Sequence, residues 1–260
     1  MSSNNKIIFT FGIIITGLFL LLDLMGMDTD DTDNPSITAS PGISIPDAKT
    51  TSVAGTFTDQ GILFVVFERG GQVYLNYNKA GRWLNNSLAL NLSSDYGVEA
   101  IVVENPRPQA SPFVCLFLKD GTQTTGTIKY ACSPINYSSE GDPVFSWAAP
   151  TIFELATKDD IDGMVAATHT SENEFHLVLN EFAKSGGGNP NFYHQKRIDC
   201  TINKTDNLDQ GIILNDLCRL DVRSTYVLPN ELHREPSIVA IPSQVGGPPE
   251  RIIFFYQNDL

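Results

Sequence analysis

Four cysteines are the residues whose spacing points most clearly to chemistry. Cys115 and Cys132 flank a segment rich in turn residues, 120–126, and Cys200 and Cys218 flank a second loop. If the flanking strands pair about these turns, the cysteines of each pair lie opposite each other at a Cα separation that a disulfide can span. Of the three possible connectivities, the sequence therefore favours 115–132 with 200–218. A zinc site is the alternative, but no Cys-x2-Cys spacing occurs, so we expect no metal.

Sequence motifs for catalysis are absent. No Gly-x-Ser-x-Gly motif occurs, since residues 42–46 have proline at the last position. The four histidines form no His-Glu-x-x-His pattern, and the glycine-rich segment 185–191 lacks the Lys-Ser/Thr of a phosphate loop. The residues alone therefore name no nucleophile, and we expect no cofactor.

The composition limits the class of partner. The chain has 260 residues, of which 42% are hydrophobic, and its 30 acidic and 17 basic side chains give a formal net charge of −13. This length is enough for one large all-β domain or two small ones. Binding to phosphate groups needs clustered Lys and Arg, so the excess of acid argues against nucleic acid and against an anionic membrane surface.

The pattern of the first 27 residues predicts an export signal or a membrane anchor. Residues 7–22 carry no charge, Lys6 precedes them and Asp23 follows. The length lies between that of a signal-peptide core and that of a membrane span, and the flanking charges indicate N-in, C-out insertion. We expect a hydrophobic helix that is either a cleaved signal peptide or a type II membrane anchor. Both alternatives place the remaining chain outside the cytoplasm.

Two further features agree with an extracellular, secreted or anchored, protein. Residues 28–50 are rich in Asp, Pro, Ser and Thr, a composition that cannot bury enough apolar surface to fold, so this segment is predicted as a linker. The domain then occupies 51–260. Four Asn-x-Ser/Thr sequons predict glycosylation on its surface, at Asn85, Asn91, Asn136 and Asn203.

An internal repeat gives the predicted architecture of the domain. Apolar runs rich in Val, Ile, Phe and Tyr alternate with Gly, Pro, Asn and Ser clusters, which is the pattern of an all-β chain. A strong run recurs at 61–67, 112–118, 174–182 and 250–257, each with a milder run before it. The first three also have a third run after them, and the fourth unit lacks it. Repeats of this size favour a β-propeller-like domain of about four blade-like units, with a β-sandwich as the alternative.

One segment resembles a motif of sialidase-type propellers. Residues 137–152 are similar to an Asp-box, the S-x-D-x-G-x-x-W turn between outer blade strands, through Ser139, Gly141 and Trp147. Glu140 stands where the motif has Asp, and the spacing to the Trp is longer. The arrangement of a hairpin followed by a Trp also resembles the repeats of fungal fucose-binding lectin propellers.

A second segment, 233–256, is similar to the Arg-x-Pro-Ser stretch and strand that open a sialidase blade. The resemblance implies three arginines for a substrate carboxylate, a Tyr–Glu nucleophile pair and an acid Asp. Arg234 is the one position that maps onto a family arginine, and Glu235 beside it is the nearest carboxylate, so these two are the candidate catalytic residues. Sialidases have six blades, so this chain is a divergent or truncated relative, or a partner chain completes its fold.

Two functions follow as predictions. The first is an extracellular recognition module of sialidase/lectin-like propeller type that binds glycan or protein, with Trp83, Trp147, Glu68 and Arg69 as ligand-binding candidates. The two tryptophans close equivalent units, and packing between blades is the alternative role for both. The second function is a sialidase-type glycoside hydrolase acting on sialylated glycans. A purely structural surface protein is a third interpretation.

Overall fold

A computed structural model describes the chain over nine ranges: 53–57, 61–84, 86–122, 124–156, 161–171, 173–183, 192–228, 236–241 and 251–255. All of them belong to one compact unit, Asp47–Leu260. Strands dominate these ranges, so the prediction of an all-β domain is confirmed. The predicted N-terminal helix and the linker lie outside the described residues. Within the described ranges, no helix is long and apolar enough to cross a membrane.

Sheet I contains the first five strands: β1 (Val53–Phe57), β2 (Leu63–Arg69), β3 (Gln72–Lys79), β4 (Arg82–Trp83) and β5 (Leu88–Ser93). Strands β1, β2 and β3 are consecutive antiparallel neighbours, and β4 and β5 both pair with the free side of β3. Gly70 and Gly71 form the β2–β3 turn with φ of 59° and 81°. A two-residue turn with positive φ at both positions favours glycine, which explains why the Arg-Gly-Gly sequence predicts this hairpin.

Sheet II repeats this arrangement with β6 (Val98–Val103), β7 (Phe113–Gly121), β8 (Gly126–Tyr137), β9 (Pro143–Phe145) and β10 (Thr151–Ile152). Its antiparallel order is β6-β7-β8, and the two short strands β9 and β10 both pair with β8. The fourth position is thus filled by two strands rather than one in both sheets: β4 and β5 in sheet I, and β9 and β10 in sheet II.

Sheet III has four strands and sheet IV has two among the described residues. They are β11 (Ile161–Ser171), β12 (Glu174–Ala183), β13 (Phe192–Thr201) and β14 (Cys218–Leu228), then β15 (Ser237–Ile241) and β16 (Arg251–Phe255). Both sheets follow chain order and are antiparallel. The helical elements are a short helix α1 (Leu214–Leu217) and two 3-10 turns, Glu154–Ala156 and Leu208–Gln210.

Consecutive sheets pack face to face. Side chains alternate across a strand, so Phe113, Cys115 and Phe117 of β7 join a core between sheets II and III, while Val114 and Leu116 join a core between sheets I and II. A third, smaller cluster joins sheets III and IV through residues Ala166, Val178 and Ile238. Sheets II and III are therefore covered on both faces, which gives more layers than the two of a β-sandwich.

The sheets approach one another most closely at their first strands. Backbone contacts between sheets join β1 to β6, β6 to β11, and β11 to β15, with smaller contributions from the second strands β2 and β12. The third and fourth strands of neighbouring sheets make no comparable contacts among the described residues. Among the described strands, the closest backbone approach between neighbouring sheets is therefore along their first strands.

Both predicted disulfides are present. Cys115 and Cys132 are directly opposed on β7 and β8 with a Cα–Cα distance of 4.1 Å, and Cys200 and Cys218 are directly opposed on β13 and β14 at 4.0 Å. All four cysteines are buried in the core between sheets II and III. The predicted connectivity is confirmed, because the pairing of β7 with β8 and of β13 with β14 brings the two cysteines of each pair opposite each other.

Candidate functional site

Glu68 and Arg69 are adjacent in sequence but point to opposite faces of sheet I, because side chains alternate along a strand. Glu68 lies on the side of Phe64 and Val66, which face sheet II, and it is 3% exposed. Its carboxylate accepts the backbone N–H of Gly71 at 2.5 Å. Glu68 therefore stabilises the β2–β3 turn, and only Arg69 of this pair lies on the outer face.

Trp147 packs between sheets I and II. Its ring stacks on Phe145 with centroids 5.7 Å apart, and Phe145 contacts Phe64 edge to face at 5.6 Å. The indole Nε1 is buried and has no hydrogen-bond acceptor among the described residues. These contacts are those of a residue that packs between sheets, which is the alternative role stated above for Trp147. Packing is also the more common role of large aromatic side chains.

The segment that resembles an Asp-box forms a tight turn between β8 and β9. Ser138 organises this turn, since its hydroxyl accepts the N–H groups of Glu140 and Asp142 at 3.3 and 3.1 Å. Lys79 of β3 holds the turn against sheet I by donating to the carbonyl of Glu140 at 2.9 Å and to Asp142 at 3.3 Å. The turn thus joins two sheets, and its organising serine is Ser138 rather than Ser139, the residue that the motif matches.

Trp83 shares the outer face of sheet I with Arg69. Asn78 is the register partner of both Leu63 on β2 and Trp83 on β4, and cross-strand partners lie on one face. We call this surface the aromatic face and define it by the side chains on that side of β2, β3 and β4: Leu63, Val65, Phe67, Arg69, Gln72, Tyr74, Asn76, Asn78 and Trp83.

Two residues of the aromatic face are buried and support the others. Phe67 is covered by the ring of Tyr74, which stacks on it with centroids 5.6 Å apart and 14° between planes. Asn76 donates to the carbonyl of Leu84 at 3.3 Å and to Ser87 at 3.2 Å, and so fixes the segment that joins β4 to β5. The Tyr74 ring and the position of Trp83 are therefore held by the sheet itself.

The remaining polar groups of the aromatic face keep part of their hydrogen-bonding capacity. Asn78 uses its Oδ1 to accept the N–H of Gly81 at 2.9 Å, and its Nδ2 has no partner among the described residues. Gln72 donates to the carbonyl of Leu92 at 2.8 Å, which leaves its Oε1 as an acceptor. Arg69 is half-buried and makes no ion pair within the described part of the chain.

Tyr74, Gln72 and Asn78 were not among the residues predicted from sequence. The signal that could have found them is the alternation in the β3 sequence QVYLNYNK, in which polar and aromatic side chains at even positions alternate with core residues. Together with Trp83 and Arg69, they give one sheet face with aromatic rings, amides and a guanidinium.

A second polar cluster lies on sheet III. His176 on β12 contacts Thr170 through Nε2 at 2.9 Å and Asp199 through Nδ1 at 2.5 Å. Arg197 donates to the same Asp199 oxygen at 2.6 Å. Burial raises the pKa of Asp199, but the hydrogen bonds from His176 and Arg197 and their charges outweigh it, so this pKa lies below its usual value.

The three side chains are linked in the order hydroxyl–imidazole–carboxylate, as in a nucleophilic triad. In a triad the hydroxyl is accessible, whereas here the hydroxyl is buried and the carboxylate is the more exposed group. A nucleophile must be reachable by substrate, whereas Thr170 and His176 are buried and the Asp199 side chain is 37% exposed. The cluster gives the buried imidazole hydrogen-bond partners for both ring nitrogens and links β11, β12 and β13. Sequence reading missed it because His176 and Asp199 are 23 residues apart and meet only through strand register.

Lys119 is a buried cation between sheets II and III. It is 0% exposed, and its Nζ donates to the carbonyls of Ile161 and Gly163, both at 2.7 Å. The ammonium also lies 5.3 Å from the centre of the Tyr96 ring, within the range of a cation–π contact. Lys119 joins β7 to β11 and is inaccessible to a ligand.

Some of the other predicted site residues lie within the described ranges and some lie outside them. Arg234, Glu235 and Asn85 lie outside the described residues, so the candidate catalytic pair of a sialidase-type site is not placed. Asn91, Asn136 and Asn203 are all exposed, as a glycosylation site requires. Within the described ranges, no group of three or more His, Cys, Asp or Glu side chains could hold a metal ion.

No protein-family model matches this chain, and a search of curated proteins finds no match. The resemblance to sialidase-type and fucose-lectin propellers therefore rests on the residues quoted above.

Proposed function

We propose that this protein is an extracellular recognition module that binds saccharides on the aromatic face of sheet I. The observation that carries the proposal is that Tyr74 and Trp83 lie half-buried on one face together with the amide of Asn78. The C–H faces of a sugar ring pack on aromatic rings, and its hydroxyl groups pair with amide donors and acceptors. Of the surfaces described, this one combines both chemistries.

The proposed location outside the cytoplasm has independent support. Two disulfides persist in an oxidising environment and are rare in the cytosol. The exposed sequon asparagines and the apolar N-terminal segment agree with export, either as a secreted protein or as a type II anchored one.

We also propose that the four sheets are blades of an open, β-propeller-like array, in which sheet I is the first blade and its aromatic face is not packed on another of the four sheets. Two features support it: each sheet packs face to face on the next, and the first strands of the sheets make the closest approach. A radial array of antiparallel sheets has both properties, because blades meet at their inner strands and spread outwards.

The saccharide proposal is tested with a glycan array and two variants, Trp83→Ala and Tyr74→Ala. Each change removes a stacking surface, so we expect binding to the best ligand to fall by about tenfold, or roughly 1.4 kcal/mol, for each ring. Ile213→Ala is the control because Ile213 is exposed on a loop of another part of the domain. Circular dichroism and thermal unfolding show whether each variant keeps the fold.

Two results would contradict the proposal. The first is an array that is silent for the folded wild-type chain. The second is glycan binding that Trp83→Ala and Ile213→Ala reduce to the same extent, because such binding does not use the aromatic face.

A further inference from the structure

We infer that the aromatic face is covered in part by a saccharide of the chain itself, the N-linked glycan of Asn91, whose first sugar packs on the ring of Tyr74. A regulatory consequence rests on the proposed saccharide function, because the attached glycan competes with free ligand for the same surface. An N-linked glycan begins with uncharged sugars, so the acidic surface of the chain does not repel it.

The sequon that begins at Asn91 lies on β5, the strand that borders the aromatic face. Register partners lie on one side of a sheet, and Ala89 of β5 is the partner of Tyr74. The residues before and after Asn91 are leucines, and both are buried in the core between sheets I and II. Asn91 itself is exposed, so it lies on the side of the aromatic face.

A hydrogen bond joins the sequon to the aromatic face. The side chain of Gln72, a member of that face, donates to the carbonyl of Leu92 at 2.8 Å. Leu92 is the middle residue of the sequon, and Ser93, its last residue, is the register partner of Gln72. A glycan on Asn91 therefore begins one residue away from a backbone group that contacts the aromatic face.

Asn91 lies at a bulge of β5 that has space for a bulky group. Between the register pairs at Gln72 and Tyr74, β3 has one residue and β5 has three. Asn91 is the middle one of these three and has a φ of 54°, a left-handed conformation that asparagine adopts more readily than most residues. A bulge bends its strand and leaves the extra residue unpaired, so the Asn91 side chain is open to modification.

Tyr74 turns one face of its ring towards β5. The other face is covered by Phe67 of β2, whose ring stacks on it with centroids 5.6 Å apart. Strands β2 and β5 lie on opposite sides of β3, so the uncovered face of the Tyr74 ring is directed to β5. There its register partner is Ala89, which is exposed and has a small side chain. The space above Ala89 fits a sugar ring whose C–H face packs on Tyr74.

The experiment compares three forms of the full chain secreted from a eukaryotic cell line: wild type, Ser93→Ala and Thr205→Ala. Ser93→Ala removes the sequon at Asn91, and Thr205→Ala removes the sequon at Asn203 as the matched control. Both variants keep the asparagine, so the left-handed backbone at Asn91 is preserved. Glycopeptide mass spectrometry of the wild type is expected to find Asn91 occupied.

We expect Ser93→Ala to bind the best ligand of the glycan array about tenfold more tightly than wild type. A tether gives the attached sugar an effective concentration on the order of millimolar, so it weakens the binding of free ligand without abolishing it. We expect Thr205→Ala to leave the affinity within about twofold of wild type, because Asn203 follows β13 of sheet III. Titration calorimetry measures these affinities.

Thermal unfolding gives a second readout that needs no free ligand. We expect Ser93→Ala to lower Tm by about 3 °C, the size of effect that the loss of one aromatic contact has in a domain of this length. Tyr74→Leu removes the ring, and we expect Ser93→Ala to cause no further loss in that background. Thr205→Ala should not show this dependence on Tyr74.

The outcomes separate the two proposals. An unoccupied Asn91, or equal effects of Ser93→Ala and Thr205→Ala on affinity and Tm, would overturn the inference and leave the saccharide function in place. A loss of Tm in Ser93→Ala that persists unchanged in Tyr74→Leu would also overturn it. If no form binds a saccharide on the array but the Tm effects of Ser93→Ala and Tyr74→Leu are coupled, the saccharide function fails and the attached glycan remains the occupant of the aromatic face.

Discussion

His176 shows how much of this domain's polar chemistry serves its stability. Both ring nitrogens are engaged, and the Asp199 carboxylate that accepts from His176 and Arg197 has a lowered pKa. A carboxyl whose pKa is lower in the folded than in the unfolded state stabilises the fold above its unfolded pKa of about 3.9. This contribution disappears as the pH falls through the lower, folded-state pKa.

We therefore expect Asp199→Asn to lower the free energy of unfolding at pH 7 by about 1 kcal/mol. The figure is at the low end for a charge-assisted hydrogen bond because water screens a half-exposed side chain. As the pH falls through the lowered folded-state pKa, the wild-type carboxyl becomes protonated, so the difference between variant and wild type should shrink. Thermal unfolding over a series of pH values from 7 downwards measures this, and a loss that stays constant over the series would contradict it.

The side chains of Glu68 and Trp147 show what the sequence alone could not tell. Glu68 and Arg69 form one charged pair when they are read as letters, but strand alternation buries Glu68 and leaves Arg69 on the outer face. Trp83 and Trp147 have the same place in the repeat, yet Trp147 stacks on Phe145 and packs against the core between sheets I and II. Whether a side chain faces a neighbouring sheet depends on packing between sheets, which no local pattern encodes.

At the scale of elements, the hairpins are what the sequence predicts best. Each long strand of the first three positions has an apolar run, and the cysteine pairs mark two registers correctly. Three strands of the fourth positions, β4, β9 and β10, were missed because they have only two or three residues and thus no readable period. Their location is set by pairing with β3 and β8.

The two disulfides lead to a prediction for these hairpins. Their sequence separations are 17 and 18 residues, so the chain-entropy account gives each about 3 kcal/mol of stability. We expect Cys115→Ala/Cys132→Ala and Cys200→Ala/Cys218→Ala to lower the free energy of unfolding by similar amounts in urea titrations. A loss below about 1 kcal/mol for either pair would contradict this account. Free thiols in the native protein would contradict both the disulfides and the proposed location outside the cytoplasm.

In the whole molecule, the polar groups that stabilise the domain and those proposed to bind a ligand lie on different sheets. The buried cation Lys119 and the His176 cluster lie on sheets II and III, which are covered on both faces. Sheet I packs against sheet II on one side only among the described cores, and its other side is the aromatic face. Placing the ligand surface on sheet I therefore leaves the shared cores undisturbed by changes at Trp83 or Arg69.

The close approach of the first strands leads to a prediction for the arrangement of the four sheets. Stacked flat sheets are about 10 Å apart at every strand, whereas blades of a propeller are closest at their inner strands. The contacts of β6 with both β1 and β11 and of β11 with β15 match the second geometry. We expect a crystal structure of the chain to show these first strands side by side around one axis, with the outer strands spread apart. Equal spacing between sheets at inner and outer strands would contradict the propeller and favour a layered stack.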